Sequence, residues 1–221
     1  MSKISFLVFL LLPFWVFSQK STTGAWYTYI GNQKLGDKFN LHTEVQYRNY
    51  DFGGDLEQLL LRTGVGRDLG TKANILFGYA YSFSESYKSG SEVKLKTEEN
   101  RIFQQILLKQ KEGPFFITHR CRFEERFLSA GIKTRFRYYL LVNLPLNDKE
   151  LIGKTFYLSA YDELFLNTHS NFFDRNRIFG GIGYFINSDF KVELGLMKQV
   201  FETNSRSQVL INFVNTFPLR R

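Results

Sequence analysis

The sequence predicts an all-β protein, an up-and-down antiparallel transmembrane β-barrel of ten to twelve strands. Three observations predict it. Apolar and polar residues alternate with period two over segments long enough to cross a bilayer when tilted. Glycine and arginine share the polar parity, as a crowded barrel interior requires. Aromatic residues, 24 Phe and 12 Tyr among 221 residues, crowd the strand ends, as in the interfacial girdles of outer-membrane barrels.

Composition removes the competing classes. Such aromatic content argues against disorder. The single cysteine, Cys121, excludes a disulfide scaffold. Beyond residue 17 no apolar run approaches the roughly 18–20 residues of a spanning helix. The formal net charge of +8 then asks for a location.

The elements follow in order. Lys3 precedes an almost unbroken apolar stretch over 4–17, and Val16-Phe17-Ser18 resembles a signal-peptidase site. Residues 1–18 are expected to be a secretory signal peptide and 19–221 the barrel domain. Export to the outer membrane makes nucleic acid an implausible partner for the positive charge. Residues 26–30 form a short candidate strand of uncertain place: a partial strand, one of a pair in a twelve-strand barrel, or a segment against the rim. Over 38–50, Phe39, Leu41, Val45 and Tyr47 oppose Asn40, His42, Glu44, Gln46 and Arg48, which a strand separates onto two faces. Residues 72–84, 114–124, 131–143 and 190–197 repeat the pattern. Residues 58–69, 101–110, 155–166, 175–186 and 208–217 keep it with some mixing. Pro114, Pro145 and Pro218 stand at strand ends, where no ladder hydrogen bond is lost. Short turns at 68–70, 111–114, 147–148 and 187–189 alternate with longer polar loops at 51–57, 85–98, 167–173 and 202–207. The two ends of the barrel are therefore expected to differ, with the short turns periplasmic.

Alternation alone does not say which face is inside. Strand length, the Gly/Arg parity and the aromatic ends (Trp26, Tyr27, Tyr47, Tyr50, Tyr79, Tyr81, Phe115, Phe217) favour polar-in and apolar-out. A soluble periplasmic barrel holding an apolar ligand is the reverse arrangement.

Several short motifs carry a family likeness. They are Gly24-Ala25-Trp26-Tyr27, Glu44-Val45-Gln46-Tyr47-Arg48, Arg101-Ile102-Phe103-Gln104-Gln105, His119-Arg120 with Glu124-Glu125-Arg126-Phe127, and Asp174-Arg175-Asn176-Arg177 before Gly180-Gly181-Ile182-Gly183-Tyr184. In this order they resemble the domain of unknown function 2490 family. The resemblance implies an uncharacterised outer-membrane β-barrel of the kind common in Bacteroidota. It implies no activity.

The candidate site is the charged interior. The lumen parity carries Glu44, Arg48, Arg62, Arg101, Arg120, Arg122, Glu124, Arg135, Arg137, Glu163, Arg175, Arg177 and Glu193, together with Arg126, Lys133 and Lys191. Two readings compete: a space-filling ion-pair network built on the bidentate guanidinium, and an anion-favouring conduit for a small solute. The implied partners are outer-membrane lipid and lipopolysaccharide, a small anionic solute, and the barrel assembly machinery during biogenesis. A barrel hydrolase acting on lipid or peptide would need a histidine at the rim. His42 lies on the lumen parity near the periplasmic end, His119 on the apolar parity, and His169 in a loop. Asp51, Asp55 and Asp174 are the carboxylates nearest the outer rim. Scattered His and one Cys lack metal-site spacing, and no cofactor motif is present.

Overall fold

The computed structural model describes residues 23–169 and 171–219; the expected signal peptide lies outside the described residues. Eleven strands follow one another: β1 Thr23–Lys34, β2 Phe39–Asn49, β3 Leu56–Asp68, β4 Ala73–Tyr87, β5 Lys94–Glu112, β6 Phe115–Leu128, β7 Gly131–Pro145, β8 Phe156–Asn167, β9 Phe173–Phe185, β10 Phe190–Val200 and β11 Ser205–Asn215. Each pairs antiparallel with its sequence neighbour, and β1 closes on β11.

Closure corrects the uncertain first segment. Residues 26–30 belong to a full-length strand, and among the described residues the barrel closes with eleven strands. An odd strand count sends β1 and β11 the same way, so the seam is parallel, with Trp26 opposite Leu210 and Ile30 opposite Val214. The seam leaves no open edge. The polar 32–34 segment and Gly31 had blurred the alternation of β1.

The expected contrast between the two ends is also corrected. The connection 85–98 is largely strand, with Glu85 opposite Lys96 and Tyr87 opposite Lys94. The longest connection, 146–155, stands at the end expected to carry short turns. The ends are named here by their connections: the β1–β2 end and the β2–β3 end.

Burial follows the alternation and inverts the usual order. On β4, Leu76, Gly78, Ala80 and Ser82 are buried while Ile75, Phe77 and Tyr79 face outward. The outer band is apolar: Val65, Phe77, Ile106, Ile178, Leu194 and Leu196 are all about half exposed or more, Leu196 reaching 65%. Polar side chains interrupt it, among them Gln104 opposite Phe77. Asp162 on β8 points outward, where Asn176 donates to both its carboxylate oxygens at 3.0 and 3.1 Å. His119 meets the Tyr138 hydroxyl at 2.8 Å.

The interior is filled by large side chains, and glycines make room for them. A Cβ at Gly78 would lie 2.5 Å from the Phe103 ring, and one at Gly181 2.7 Å from the Phe179 ring. A Cβ at Gly183 would overlap the Tyr157 ring. Large and small residues thus alternate around the wall, the arrangement a narrow barrel needs.

Candidate functional site: the charged lumen

Glu44, Arg48, Arg62, Arg101, Arg122, Glu124, Arg135, Arg137, Glu163 and Arg177 are all buried inside the barrel. Arg120, Arg175, Glu193 and Lys191 are partly buried there, whereas Lys133 is exposed at the start of β7. Period two puts them there: each strand sends every second residue inward. Their burial is tolerable because they meet one another.

Towards the β2–β3 end the charges are paired. Glu99 accepts from Arg101 at 2.7 and 3.0 Å and from Arg126 at 2.5 and 3.0 Å. Glu124 accepts from Arg135 at 2.6 Å and from Arg137 at 2.7 Å. Asp174 accepts from Arg135 at 2.9 Å and from Arg175 at 3.1 Å. Glu163 joins this group to the next layer, taking Arg137 at 2.5 Å and Arg120 at 2.6 Å, with Arg177 3.7 Å away. Arg62 pairs with Glu44. Arg48 makes its bonds to neutral amides, Gln46 and Gln58.

Aromatic rings separate the charged layers. Phe165 lies under the guanidinium carbons of Arg137 (4.4 Å) and Arg177 (4.6 Å). Trp26 stacks with Arg48 (3.9 Å) and Phe103 with Arg122 (4.8 Å). Desolvated contacts of this kind are worth up to about 2 kcal/mol each. Trp26 therefore does not belong to an interfacial girdle; at 3% exposure it is part of the interior. Burying its indole inside satisfies packing that a lipid-facing ring would forgo. The parity of Phe103, Phe165 and Glu99 matched that of Arg101 and Glu163, so alternation alone could have placed them inside. Their aromatic or loop-adjacent character hid them.

Charge and ring together form a packed block in this stretch of the interior, where Arg122, Glu124, Phe103 and Phe165 are each 1% exposed. Below the block, towards the β1–β2 end, a cavity of about 260 Å³ remains. Arg62, Arg120, Arg122, Arg137 and Arg177 form its ceiling, and Ile30, Leu107, Leu141, Leu210 and Val214 supply apolar wall. His42 lies in the wall, held by Asn32 at 2.7 Å and Glu44 at 3.4 Å. His169 is exposed and meets Thr168 at 2.9 Å. Asp51 accepts from the Gly53, Gly54 and Asp55 amides, which holds its carboxyl below the usual range. Asp55 binds Lys94 at 2.5 Å. The three rim carboxylates are thus occupied in capping and pairing.

A polar, arginine-stacked interior within an apolar-surfaced closed barrel is a class of fold, and sequence comparison then names its family. A family model described as a protein of unknown function (DUF2490) matches residues 23–209, and the chain belongs to that family. An uncharacterised protein of Methylorubrum extorquens is 31% identical over 171 residues, covering 73% of this chain and 72% of that protein. No solved structure matches the chain.

Proposed function

We propose that the protein is an outer-membrane β-barrel whose bore is closed at rest by the arginine–carboxylate–aromatic block. The observation that carries this reading is the inversion of burial. Phe77, Leu194 and Leu196 face outward while Arg122 and Glu124, each 1% exposed, fill the interior. In water that arrangement would expose apolar surface and desolvate charge at once. In a bilayer it is the favourable one, since closed barrels satisfy every backbone group without water. β5 and its neighbours are long enough to cross with the usual tilt.

The role is structural, a side-chain-filled barrel, and the guanidinium excess sets an anion preference for any small solute that enters. A wide pore is incompatible with a bore filled by Arg122, Phe103, Phe165 and Glu124. Three assays test this together. Fractionation should recover the protein with outer membrane, a boiled sample should shift on a gel, and reconstituted barrel should show no steady conductance. Recovery in the soluble periplasmic fraction without detergent would overturn the membrane reading; a steady open-channel current would overturn the closed bore.

A further inference from the structure

The cavity below the block is built differently from the network above it. Its charged lining holds Arg62, Arg120, Arg122, Arg137, Arg177 and Lys191 against Glu44, Glu163 and Glu193, six cations to three carboxylates. Glu193 is satisfied by neutral donors, Asn212 at 3.0 Å and the Tyr157 hydroxyl at 3.2 Å. Lys191 rests on the rings of Tyr157 and Phe185 at 4.9 and 5.2 Å. Arg122 donates twice to the neutral Gln105 oxygen, at 3.0 and 2.6 Å. Its nearest carboxylate, Glu124, is 3.8 Å away.

The unmet donors fall in the same place. Among the described residues, the buried guanidinium nitrogens without a hydrogen-bond partner are Arg62 Nε, Arg120 Nε and Arg122 Nη1. All three arginines line this cavity, as does Trp26, whose indole N–H is also unmet. The arginines of the upper network leave no such nitrogen. An unmet buried donor costs about 1–3 kcal/mol, more when charged; these nitrogens are packed within the ceiling, and the cavity itself is lined by more cations than carboxylates.

We infer that the cavity is a binding site for a small carboxylate with an apolar body. The carboxylate would meet the guanidinium faces that line the ceiling, Arg120 above all with its side chain 20% exposed, where a guanidinium fork matches it bidentately. The body would lie against Ile30, Leu107 and Leu141. The volume, just under the roughly 300–1,000 Å³ of drug-sized pockets, limits the ligand to a small acid. Glu44 and Glu163 in the lining disfavour a doubly charged anion. This inference goes beyond the closed-barrel reading and does not depend on where the barrel resides.

Trp26 supplies the readout. Full-length barrel in detergent, in a Trp15→Phe background, is titrated with benzoate, hexanoate and inorganic phosphate while Trp26 emission and the melting temperature are followed. The expected result is a saturable emission change and a raised melting temperature with benzoate or hexanoate, at least tenfold weaker with phosphate. Arg122→Gln and Arg120→Gln should each weaken binding at least tenfold. Leu141→Trp, which fills the cavity and keeps every charge, should abolish the stabilisation by ligand. Arg206→Gln, whose guanidinium pairs with Glu57 at 2.8 Å away from the cavity, should bind as the parent does. Absence of saturable binding by either acid overturns the site, as does parental affinity in Arg122→Gln and Leu141→Trp. Phosphate binding equal to or tighter than that of the acids overturns the ligand class.

Discussion

Glu124→Gln is the most informative perturbation of the block. The carboxylate is 1% exposed and receives Arg135 at 3.1 and 2.6 Å and Arg137 at 2.7 Å, with Arg122 at 3.8 Å. Neutralising it leaves three guanidiniums around an uncharged amide. Breaking a buried pair from one side costs about 3–5 kcal/mol. Two features of the site favour the lower end. Gln still offers one acceptor oxygen, and Arg135 and Arg137 keep Asp174 and Glu163. The expected loss is about 3 kcal/mol, a little over a hundredfold in the folding equilibrium, since each 1.36 kcal/mol is tenfold. Reversible urea unfolding in lipid or detergent would read it as a lower midpoint with unchanged slope. Arg206→Gln, which breaks the more exposed pair with Glu57, should cost no more than about 1 kcal/mol. A Glu124→Gln variant within 0.5 kcal/mol of the parent would refute the reasoning, because it would mean the block is hydrated and its pairs are worth little.

Other outcomes follow from the same geometry. Gly78→Ala places a methyl 2.5 Å from both the Phe103 ring and the Thr63 carbonyl and should destabilise by about 1–3 kcal/mol. Gly180→Ala points into open space and should be neutral or slightly stabilising in the same unfolding assay. Asp162→Leu removes a carboxylate from the apolar outer band and should stabilise the barrel by about 1 kcal/mol in lipid; a loss of stability there would show that the Asn176 pair is structural. At the β2–β3 end, the depressed pKa of Asp51 makes its ionised contacts a stabilising term present at neutral pH and lost as pH falls through the folded value. The Gly53 and Gly54 amide shifts should therefore titrate with a midpoint below the usual 3.8; a midpoint at or above it would contradict the capping role.

The alternation along β2, β4, β6 and β7 was legible in the sequence because a strand has no freedom in its side-chain period. That same regularity placed Glu44, Arg62, Arg122, Arg137 and Glu163 inside. What parity could not supply was distance. It does not say that Glu124 accepts from two arginines while Arg122 donates to the neutral Gln105, because those partners sit on adjacent strands whose register the sequence leaves unspecified. Aromatic character misled where it was read as a membrane signal: Trp26 fits an interfacial belt by type and a stacked interior by parity, and parity was the better guide. Strand β1 was harder still. Gly31, Asn32 and Gln33 carry little apolar contrast, so its length and parallel seam become visible only when its partner β11 is beside it.

The central claim is the inside-out barrel, and the most direct measurement is collision accessibility at its outer wall. Leu194, 51% exposed on the outer face of β10, would be replaced by a spin-labelled cysteine in a Cys121→Ser background and reconstituted in lipid vesicles. The account predicts high accessibility to oxygen and low accessibility to a polar nickel reagent, the signature of a hydrocarbon environment. Free access of the nickel reagent to that position would contradict it.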